Sequence, residues 1–552
     1  MNTTGKNGYS KMSMKNWPEA AISNLLILRT DASKEIGIGH FIRCLALAQA
    51  WCFQGGRAVF ISRIDKETLV QWIRGDNCEL IRIKNELSVI EELELVYRYF
   101  NPKKEADANG ESAVYPATWI AVDGYHFGED YHHGLKEAGY KVLIIDDKAH
   151  LPFYHAHILL NQNIGSSQIP YRCSSETLPL LGLKYVLLRK EFGHHRKDTG
   201  QISRRPKNII ITCGGVDSKN ITQRAVCALK QLNRKNLSVQ IIIGPENPHL
   251  MSIRRELQSA PFQYRLMENV KEMPDLLGSA DLAITAAGST SWEAANMGVP
   301  NINMILSDNQ ERTALKLHET GAARTLGWWH TVDSHMLAKA VSELLDDYEL
   351  RKDMNRKAKR LVDDLGALRV CRIMRFFSAG YQATNFRIRS VGPEDSNLLF
   401  RLANDPETRQ NAFRSNPLSF EEHAQWLDKK MNDSQTTAMY VLEYEGAVLA
   451  QIRYDKIYPD TADINISVHP AFRRRGYGTA MLIETRNAAG KQLEISSFRS
   501  VVFQENDASR HCFIKAGFRE KEKTMMKDRT CFIYGYRLNT HAAGKRKTGK
   551  AG

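Results

Sequence analysis

The chain has 552 residues, of which 43% are hydrophobic and 25% charged, with a formal net charge of +14. A chain of this length and composition predicts a soluble globular protein of three or four domains. It has no uninterrupted apolar run of about 20 residues, which excludes an ordinary membrane-spanning helix. Its nine cysteines form no CxxC pair, so neither a zinc site nor a disulfide framework is indicated, and we expect a reducing cytoplasm.

Part of the positive charge lies in the basic tail 541–552, and residues 1–24 read as a polar tail without a signal-peptide core. The remaining charge suits anionic small molecules such as nucleotides and coenzyme A. The sequence contains no common nucleic-acid recognition motif. We therefore predict neither a specific nucleic-acid partner nor a membrane partner. The sequence does not determine whether the protein forms oligomers.

Apolar runs and helical segments alternate over residues 25–197, which predicts parallel βαβ units in a doubly wound sheet. The predicted strands are Leu25–Leu28, Arg57–Ile61, Trp119–Val122 and Lys141–Ile145. The helices between them include Thr68–Arg74 and Tyr131–Gly139, and residues 101–115 read as a surface excursion. Ligands bind at the carboxyl ends of such strands, so we expect four side chains to converge on one cleft. They are Asp31, His40, Asp123 and Tyr125.

The turn between the first strand and the first helix contains Gly37, Gly39 and His40. Glycines permit a sharp turn, the helix N-terminus offers free N–H groups to an anion, and histidine exchanges a proton near neutral pH. By spacing alone a purely structural turn is the alternative. We interpret Asp146 and Asp147, at the end of a later strand, as a capping or sheet-edge feature rather than a metal pair.

The strand pattern repeats over residues 198–377. The predicted strands here are Asn208–Thr212, Val239–Ile243, Asp281–Thr285 and Asn301–Leu306. The stretch AAGSTSWEAANMGVP, residues 286–300, leads from a small-residue turn into a helix. Backbone N–H groups at that turn can hold a diphosphate, and Glu293 one turn later can accept hydrogen bonds from a ribose. Two Rossmann-like lobes with a nucleotide site in the second resemble the GT-B architecture of nucleotide-sugar glycosyltransferases.

Four motifs resemble the UDP-sugar hydrolases of pseudaminic acid biosynthesis, which are relatives of the peptidoglycan glycosyltransferase. They are RTDASKEIGIGHFIRCLALA, VDGYHFGEDY, CGGVDSKN and ITAAGSTSWEAANMGVPNINMILSDNQ. The resemblance implies inverting, metal-independent hydrolysis of UDP-2,4-diacetamido-2,4,6-trideoxy-β-L-altropyranose. It assigns water activation to His40, an active-site role to Tyr125 and substrate positioning to Asn309. The implied UDP-sugar site comprises Arg29, Asp31, Gly37, Gly39, Arg43, Gly214, Gly215, Gly288, Ser289, Thr290, Glu293 and Gln310.

A helical run, Val341–Phe377, ends the second lobe, and a short hinge, 378–384, separates it from a third predicted domain, 385–540. The segment Phe386–Val391 predicts its first strand. An antiparallel meander then follows at Met439–Glu443, Ala447–Tyr454 and Ala462–Val468. The motif VHPAFRRRGYGT then places a glycine-rich loop between a strand and a helix, as a pyrophosphate site requires. A basic hairpin turn is the alternative interpretation of this motif.

This loop and the segment SVVFQENDASRHCFIKAGF resemble GNAT acetyltransferases, and in particular the acetyltransferase of the same pathway. The resemblance implies acetyl-CoA as co-substrate, with Asn506 capping a helix and touching the pantetheine arm. Protein N-terminal acetyltransferases fit the motifs nearly as well. The implied acetyl-CoA site comprises Val468, Arg473, Arg474, Arg475, Gly476, Tyr477, Gly478, Thr479, Asn506 and Phe513.

One departure from that family concerns Phe513, which stands where many GNAT enzymes have a tyrosine that protonates the departing thiolate. Phenylalanine donates no proton, so another group must do so or activity is impaired. Glu505 is a candidate general base acting through water, with a solvated carboxylate as the alternative. His423 and Trp426 we interpret as packing residues on a helix face.

The sequence thus predicts an α/β chain with two Rossmann-like lobes followed by a GNAT domain. Its predicted function is N-acetylation of UDP-4-amino-4,6-dideoxy-β-L-AltNAc and hydrolysis of the acetylated product to UDP and free sugar. The alternatives are a GT-B glycosyltransferase fused to a protein N-acetyltransferase-like domain, or to an inactive acetyl-CoA-binding module.

Overall fold

The structure is a computed structural model that describes residues 24–33, 36–83, 87–100, 118–195, 202–244, 247–268, 270–377 and 385–538. The chain forms two compact units. One comprises Met1–Ser174 with Pro179–Tyr381, and the other comprises Ser175–Leu178 with Gln382–Gly552. Within the described residues, no helix has both the length and the apolar character needed to cross a membrane. The predicted excursion at 101–115, the hinge at 378–384 and the tail at 541–552 lie outside the described residues.

The first lobe is built on a seven-stranded sheet with the order β3-β2-β1-β4-β5-β6-β7. The strands β1 to β6 pair in parallel, as the alternation of strands and helices predicts. The strands are β1 Leu25–Thr30, β2 Arg57–Ser62, β3 Glu79–Arg82, β4 Trp119–Asp123, β5 Lys141–Ile145, β6 Ile158–Asn161 and β7 Leu178–Leu181. The helices are α1 Gly39–Phe53, α2 Glu67–Gly75, α3 Val89–Phe100, α4 Glu129–Glu137 and α5 Glu191–His195.

The second lobe has a six-stranded sheet with the order β10-β9-β8-β11-β12-β13, and every pair in it is parallel. Its strands are β8 Asn208–Thr212, β9 Ser238–Ile243, β10 Gln263–Glu268, β11 Leu282–Ala286, β12 Asn301–Ile305 and β13 Ala323–Trp328. Its helices are α6 Ile221–Leu232, α7 Leu250–Leu257, α8 Met273–Gly278, α9 Ser289–Met297 and α10 Asp308–Thr320. Both sheets reverse strand order at a central strand, so each presents a crevice at its carboxyl edge.

The predicted helical run at the end of this unit is divided into three helices, α11 Ser334–Asp346, α12 Tyr348–Leu361 and α13 Gly366–Phe376. Asp347 caps the start of α12 by accepting the N–H of Leu350. The last helix returns to the first lobe, where Arg375 donates a hydrogen bond to the carbonyl of Gln54 at 3.1 Å. The two lobes are therefore also packed together through α13, which is the two-lobe arrangement of the GT-B class.

The second unit has a seven-stranded sheet with the order β14-β15-β16-β17-β18-β20-β19. The strands are β14 Arg387–Ser390, β15 Thr437–Tyr444, β16 Ala447–Tyr458, β17 Thr461–Val468, β18 Ser497–Phe503, β19 Arg519–Met526 and β20 Arg529–Arg537. The helices are α14 Ser396–Asn404, α15 Pro406–Gln410, α16 Phe420–Asn432, α17 Tyr477–Leu493 and α18 Asp507–Lys515. The turn between β15 and β16 uses Glu445 and Gly446, both with positive φ, which confirms the predicted hairpin.

The strands β17 and β18 determine where a ligand can enter this sheet. They pair in parallel over only three residues, from Thr461↔Ser497 to Asp463↔Arg499. Beyond that point the two strands diverge, so the ends Ile464–Val468 and Ser500–Phe503 face each other across an opening. The strand order and this opening are those of a GNAT domain, in agreement with the predicted fold class.

Candidate active sites

The candidate hydrolytic site begins at the turn between β1 and α1. Gly37 has a φ of +78°, a value that a side chain disfavours, and its N–H donates to the carbonyl of Ser33 at 2.8 Å. The residue before the helix, Ile38, has no side chain that could cap it, so the first N–H groups of α1 have no side-chain partner there. His40 lies in the first turn of α1, 13% exposed. The turn thus places an imidazole at a helix N-terminus.

His40 is oriented by a buried carboxylate at the end of β4. Its Nδ1 lies 2.6 Å from Oδ1 of Asp123, and Arg43 donates to the same carboxylate from Nε at 2.5 Å and Nη2 at 2.7 Å. Burial alone would raise the pKa of Asp123, but the charges of Arg43 and His40 lower that pKa to about 2. Since an ionised carboxylate only accepts hydrogen bonds, Nδ1 carries the proton and Nε2 remains available as a base.

Tyr125 stands beside this pair. Its ring meets the His40 ring edge-on at a centroid distance of 5.1 Å, and its hydroxyl donates to Oδ2 of Asp147 at 3.0 Å. Burial and the Asp147 carboxylate raise the pKa of Tyr125 well above its usual value. The phenol therefore stays protonated at neutral pH and acts as a hydrogen-bonding group rather than as a base.

The second lobe contributes Asn309, which lies at the start of α10. Its Nδ2 is 3.5 Å from the Tyr125 hydroxyl, and its Oδ1 accepts a hydrogen bond from Ser307 at 2.6 Å. The three predicted catalytic residues of the hydrolase, His40, Tyr125 and Asn309, are therefore neighbours even though they come from different parts of the chain. The strand-end positions predicted that His40 and Tyr125 lie close together, but not that Asn309 of the second lobe lies beside them.

Two residues predicted to bind the UDP-sugar are not positioned to do so directly. Arg29 and Asp31 are 0% and 1% exposed. The guanidinium of Arg29 donates to Glu92 at 2.6 and 2.8 Å and to Asp31 at 2.5 Å, while Arg63 and His126 occupy the other oxygen of Asp31. A buried charge needs partners, and Arg29 and Asp31 find them in each other and in neighbouring charged side chains rather than in a ligand.

Five residues near the site were not among the predicted site residues, beginning with Asp146. Asp146 accepts the N–H groups of Lys148 and Ala149 in a turn where no helix begins, and it also binds His150. His150 in turn packs against Tyr125 with a centroid distance of 5.3 Å. The remaining members of the group are Asp147, Asn163 and Trp292. Asn163 lies on a loop and Trp292 lies on the other lobe. Of these three residues, only Asp147, just after the end of a strand, could be suspected as a site residue from the sequence.

The candidate nucleotide site lies at the start of α9. Gly288 precedes this helix and offers no side chain to cap it, so the N–H groups at Ser289 and Thr290 have no capping side chain. A Cβ atom at Gly288 would lie 3.7 Å from Nε2 of Gln310, which therefore borders the same turn. Glu293 is 8% exposed, and burial raises its pKa. That Glu293 accepts hydrogen bonds from a ribose remains a prediction.

Gly214 and Gly215 form the turn after β8. Gly214 has a φ of +91°, and a Cβ atom at Gly215 would lie 2.7 Å from Cγ1 of Ile38. Ile38 directly precedes α1 and His40, so the glycine turn of the second lobe lies against the histidine turn of the first. The close approach explains why a residue without a side chain occupies position 215.

The candidate acetyltransferase site is a cavity of about 1220 Å³ in the second unit. It opens between the diverging ends of β17 and β18. Nine of the ten predicted acetyl-CoA residues line it, namely Val468, Arg473, Arg474, Gly476, Tyr477, Gly478, Thr479, Asn506 and Phe513. Arg475 is the exception, and its guanidinium instead lies 5.4 Å from the centroid of the Phe472 ring.

The glycine-rich loop of this cavity is held in place by Arg473. The guanidinium binds Asp405 and also Glu407, the latter at 2.5 Å, and its Nε donates to the Val468 carbonyl at 3.2 Å. Gly476, with a φ of +84°, completes the turn into α17. Arg473 was predicted to contact acetyl-CoA, but its side chain is engaged by carboxylates, so it orders the loop rather than offering a free cation.

Asn506 caps the start of α18, and Phe513 lies within this helix. The Oδ1 of Asn506 accepts the N–H of Ser509 at 3.1 Å, which confirms the predicted helix cap. Phe513 is 2% exposed and stacks on Tyr534 with a centroid distance of 6.1 Å and an interplanar angle of 12°. Phe513 thus belongs mainly to the aromatic core of the unit, with one face toward the cavity.

Glu505 does not line the cavity, and its side chain is 61% exposed and pairs with Arg529 at 3.2 Å. A backbone hydrogen bond and Arg529 lower the pKa of Glu505. Both facts argue against the prediction that Glu505 is the general base. His423 and Trp426, interpreted as packing residues, do pack together but also line the cavity. Burial and the charges of Arg409 and Arg453 lower the pKa of His423 to about 4.

Among the described residues, no group of three or more histidine, cysteine or acidic side chains is arranged to hold a metal ion.

Two family profiles match parts of the chain. The sequence profile of the glycosyltransferase family 28 C-terminal domain matches residues 208–366, and that of the acetyltransferase (GNAT) domain matches residues 385–519. The chain therefore contains a glycosyltransferase-type lobe followed by an acetyltransferase domain.

Three curated relatives match part of the chain. The spore coat polysaccharide biosynthesis protein SpsG of Bacillus subtilis is 27% identical over 239 residues, covering 43% of this chain and 70% of SpsG. The UDP-2,4-diacetamido-2,4,6-trideoxy-β-L-altropyranose hydrolase of Campylobacter jejuni is 24% identical over 303 residues, covering 54% of this chain and 97% of that enzyme. A pseudaminic acid cytidylyltransferase and hydrolase of Helicobacter pylori is 24% identical, covering 42% of each chain.

Among solved structures, MurG of Acinetobacter baumannii is 18% identical with a TM-score of 0.46, covering 64% of this chain and 99% of MurG. A spermidine N-acetyltransferase of Vibrio cholerae, solved with CoA and spermine, is 16% identical with a TM-score of 0.25. The match covers 28% of this chain and 95% of the Vibrio chain.

Proposed function

We propose that the chain catalyses two consecutive reactions on one UDP-sugar. In the first, the acetyltransferase domain transfers an acetyl group from acetyl-CoA to the 4-amino group of UDP-4-amino-4,6-dideoxy-β-L-AltNAc. In the second, the two-lobe unit hydrolyses the resulting UDP-2,4-diacetamido-2,4,6-trideoxy-β-L-altropyranose. The combination of a hydrolase-like region with a GNAT domain supports this order, because the product of the acetylation is the sugar named for the Campylobacter relative.

The observation that carries the hydrolase proposal is the His40–Asp123 pair. With Nδ1 hydrogen-bonded to Asp123 at 2.6 Å, Nε2 can accept a proton from a water molecule. That water attacks the anomeric carbon with inversion, through an oxocarbenium-like transition state. The bond from the anomeric carbon to the diphosphate oxygen breaks, its electron pair leaves with UDP, and His40 holds the proton. UDP needs no protonation to leave, so no second carboxyl group is required.

The diphosphate would bind at the start of α9, where N–H groups of Ser289 and Thr290 can stabilise its developing charge. Tyr125, which stays protonated, and Asn309 would hold the sugar by hydrogen bonds from opposite lobes. The reaction as written uses no metal ion.

For acetyl transfer, the Gly476–Thr479 loop would bind the pyrophosphate of acetyl-CoA, and the thioester would lie between the diverging strands. The amine nitrogen attacks the thioester carbonyl, the C–S bond breaks, and CoA leaves as a thiolate that gains one proton. The amine loses one proton in the same reaction. Phe513 cannot supply the thiolate's proton, so a solvent molecule or another cavity group does.

The test uses the full chain and the UDP-4-amino sugar, with and without acetyl-CoA, and follows UDP and CoA together. The proposal predicts that UDP release requires acetyl-CoA and trails CoA release. CoA release without UDP release would contradict the hydrolase assignment for this sugar. If neither product appears, the experiment is repeated with the pre-acetylated sugar. UDP release from that sugar would indicate an inactive acetyltransferase, and its absence would indicate that the sugar is wrong.

A glycosyltransferase activity is the second candidate, and the match to the glycosyltransferase family 28 C-terminal domain is the observation that favours it. It predicts that UDP release depends on an added sugar acceptor, whereas hydrolysis does not.

A further inference from the structure

Asp147 lies at the centre of a hydrogen-bond network in the first lobe. It is 7% exposed and accepts hydrogen bonds from three side chains. Arg43 donates to both its oxygens at 2.8 and 3.0 Å, the Tyr125 hydroxyl donates at 3.0 Å, and Nδ2 of Asn163 donates at 2.7 Å. Arg43 also holds Asp123, so Asp147 is one step from the carboxylate that orients His40.

Asn163 extends this network into the second lobe. Its Oδ1 accepts a hydrogen bond from Nε1 of Trp292 at 3.3 Å, and its own N–H donates to Asn161 at 2.9 Å, which fixes its loop. Trp292 lies on α9, one turn from the Gly288 end of the helix, and is 1% exposed. Because the indole is packed in the core of the second lobe, its position follows that of α9.

We propose that Asp147 and Asn163 are positioning residues that align the nucleotide-binding helix with the hydrolytic side chains. The path runs from Trp292 through Asn163 and Asp147 to Tyr125 and Arg43. The inference rests on the proposed function, since it concerns where the leaving group lies relative to the attacking water. Such alignment has large effects, because a misplacement of about 1 Å in an active site can lower a rate by about 10²-fold.

The first test separates alignment from binding. Asn163→Ala and Trp292→Phe each remove one partner of the 3.3 Å hydrogen bond, and the phenylalanine keeps most of the buried volume. We expect kcat for hydrolysis to fall about tenfold or more in each variant, with the affinity for UDP changed by less than about threefold. The double variant should be no slower than the slower single variant, since both remove the same interaction.

Gln231→Ala is the matched control, because it removes an exposed amide that donates to Ser334 at 2.8 Å, away from this path. Its kcat should be unchanged. Additive losses in the double variant, or an unchanged kcat in Asn163→Ala, would overturn the inference.

The second test needs no turnover. The histidine ring signals of the full chain are recorded by NMR with and without UDP, and a His40→Gln sample identifies the signal of His40. The inference predicts that UDP shifts the His40 signal in the wild-type chain and that the shift is lost in Asn163→Ala. UDP binding without a shift would overturn the inference alone, whereas absence of UDP binding would overturn the proposed function as well.

Discussion

The Nδ1 atom of His40 lies 2.6 Å from Oδ1 of Asp123, a carboxylate that is fully buried and shared with Arg43. This pair joins the start of α1 to the end of β4, two positions 83 residues apart in the chain. It fixes which imidazole nitrogen can act as a base. The hydrolytic proposal depends on that orientation, so Asp123 is the first residue to test.

Replacing Asp123 with asparagine should impair both activity and stability. An amide can donate to Nδ1 and so favour the tautomer with the proton on Nε2, which cannot accept a proton from water. We expect hydrolysis to fall by about 10²–10⁴-fold, as for loss of a general base. Removing one partner of a buried ion pair also costs about 3–5 kcal/mol in the free energy of unfolding. Steady-state UDP release and urea unfolding measure the two effects, and unchanged kcat would contradict the assignment.

Substituting Gly215 tests the contact between the two glycine turns. The new Cβ atom of Gly215→Ala would lie 2.7 Å from Cγ1 of Ile38, so either the Ile38 side chain or the turn before His40 must shift. We expect hydrolysis to fall by up to about 10²-fold through misalignment. Adding Ile38→Ala removes the clashing atom and should restore much of the rate, with Ile38→Ala alone as the control. Failure of the second substitution to restore any activity would show that the turns do not interact in this way.

Much of the architecture was predictable from local signals. Apolar runs such as Trp119–Val122 and Lys141–Ile145 form parallel strands that are buried except at Lys141, and glycine turns such as Gly37 precede helices as expected. The expectation that ligands bind at the carboxyl ends of parallel strands also predicted that His40 and Tyr125 lie close together.

What the sequence did not reveal is which polar residues face the ligand and which face one another. Arg29 and Asp31 were predicted to bind the ligand. In the structure Arg29 is hydrogen-bonded to Glu92, and Asp31 is hydrogen-bonded to Arg63 and His126. Such pairing depends on residues about 30 to 95 positions away, so no local pattern encodes it. Asn163 and Trp292 meet for the same reason, through contacts between different lobes.

The exposed position of Glu505 leads to a prediction opposite to its assignment as a base. Glu505→Gln should change kcat for acetyl transfer by less than about threefold, because substitutions of exposed residues outside a site have small effects. Its ion pair with Arg529 is exposed and contributes little. Simultaneous measurement of CoA and UDP release provides the control, since hydrolysis should also be unchanged. A loss of acetyl transfer by two orders of magnitude would restore Glu505 as the general base.

His423 should make the stability of the acetyltransferase unit depend on pH. Burial and the charges of Arg409 and Arg453 lower its pKa in the folded state to about 4, against about 6.5 in an unfolded chain. Between these values the unfolded state binds more protons, so stability falls as the pH falls from about 6.5 to 4. His423→Gln should flatten this dependence. Thermal unfolding of both chains at pH 7 and pH 5 measures it, and an identical drop in Tm would contradict the role of His423.

The central claim is that His40 activates water for UDP release while the acetyltransferase acts independently of it. The most direct measurement compares the wild-type chain with His40→Gln on the UDP-4-amino sugar and acetyl-CoA, following both products in one sample. We predict that UDP release falls by about 10²–10⁴-fold while CoA release is unchanged. Unchanged UDP release would contradict the account, because the geometry around Asp123 would then serve no hydrolytic step.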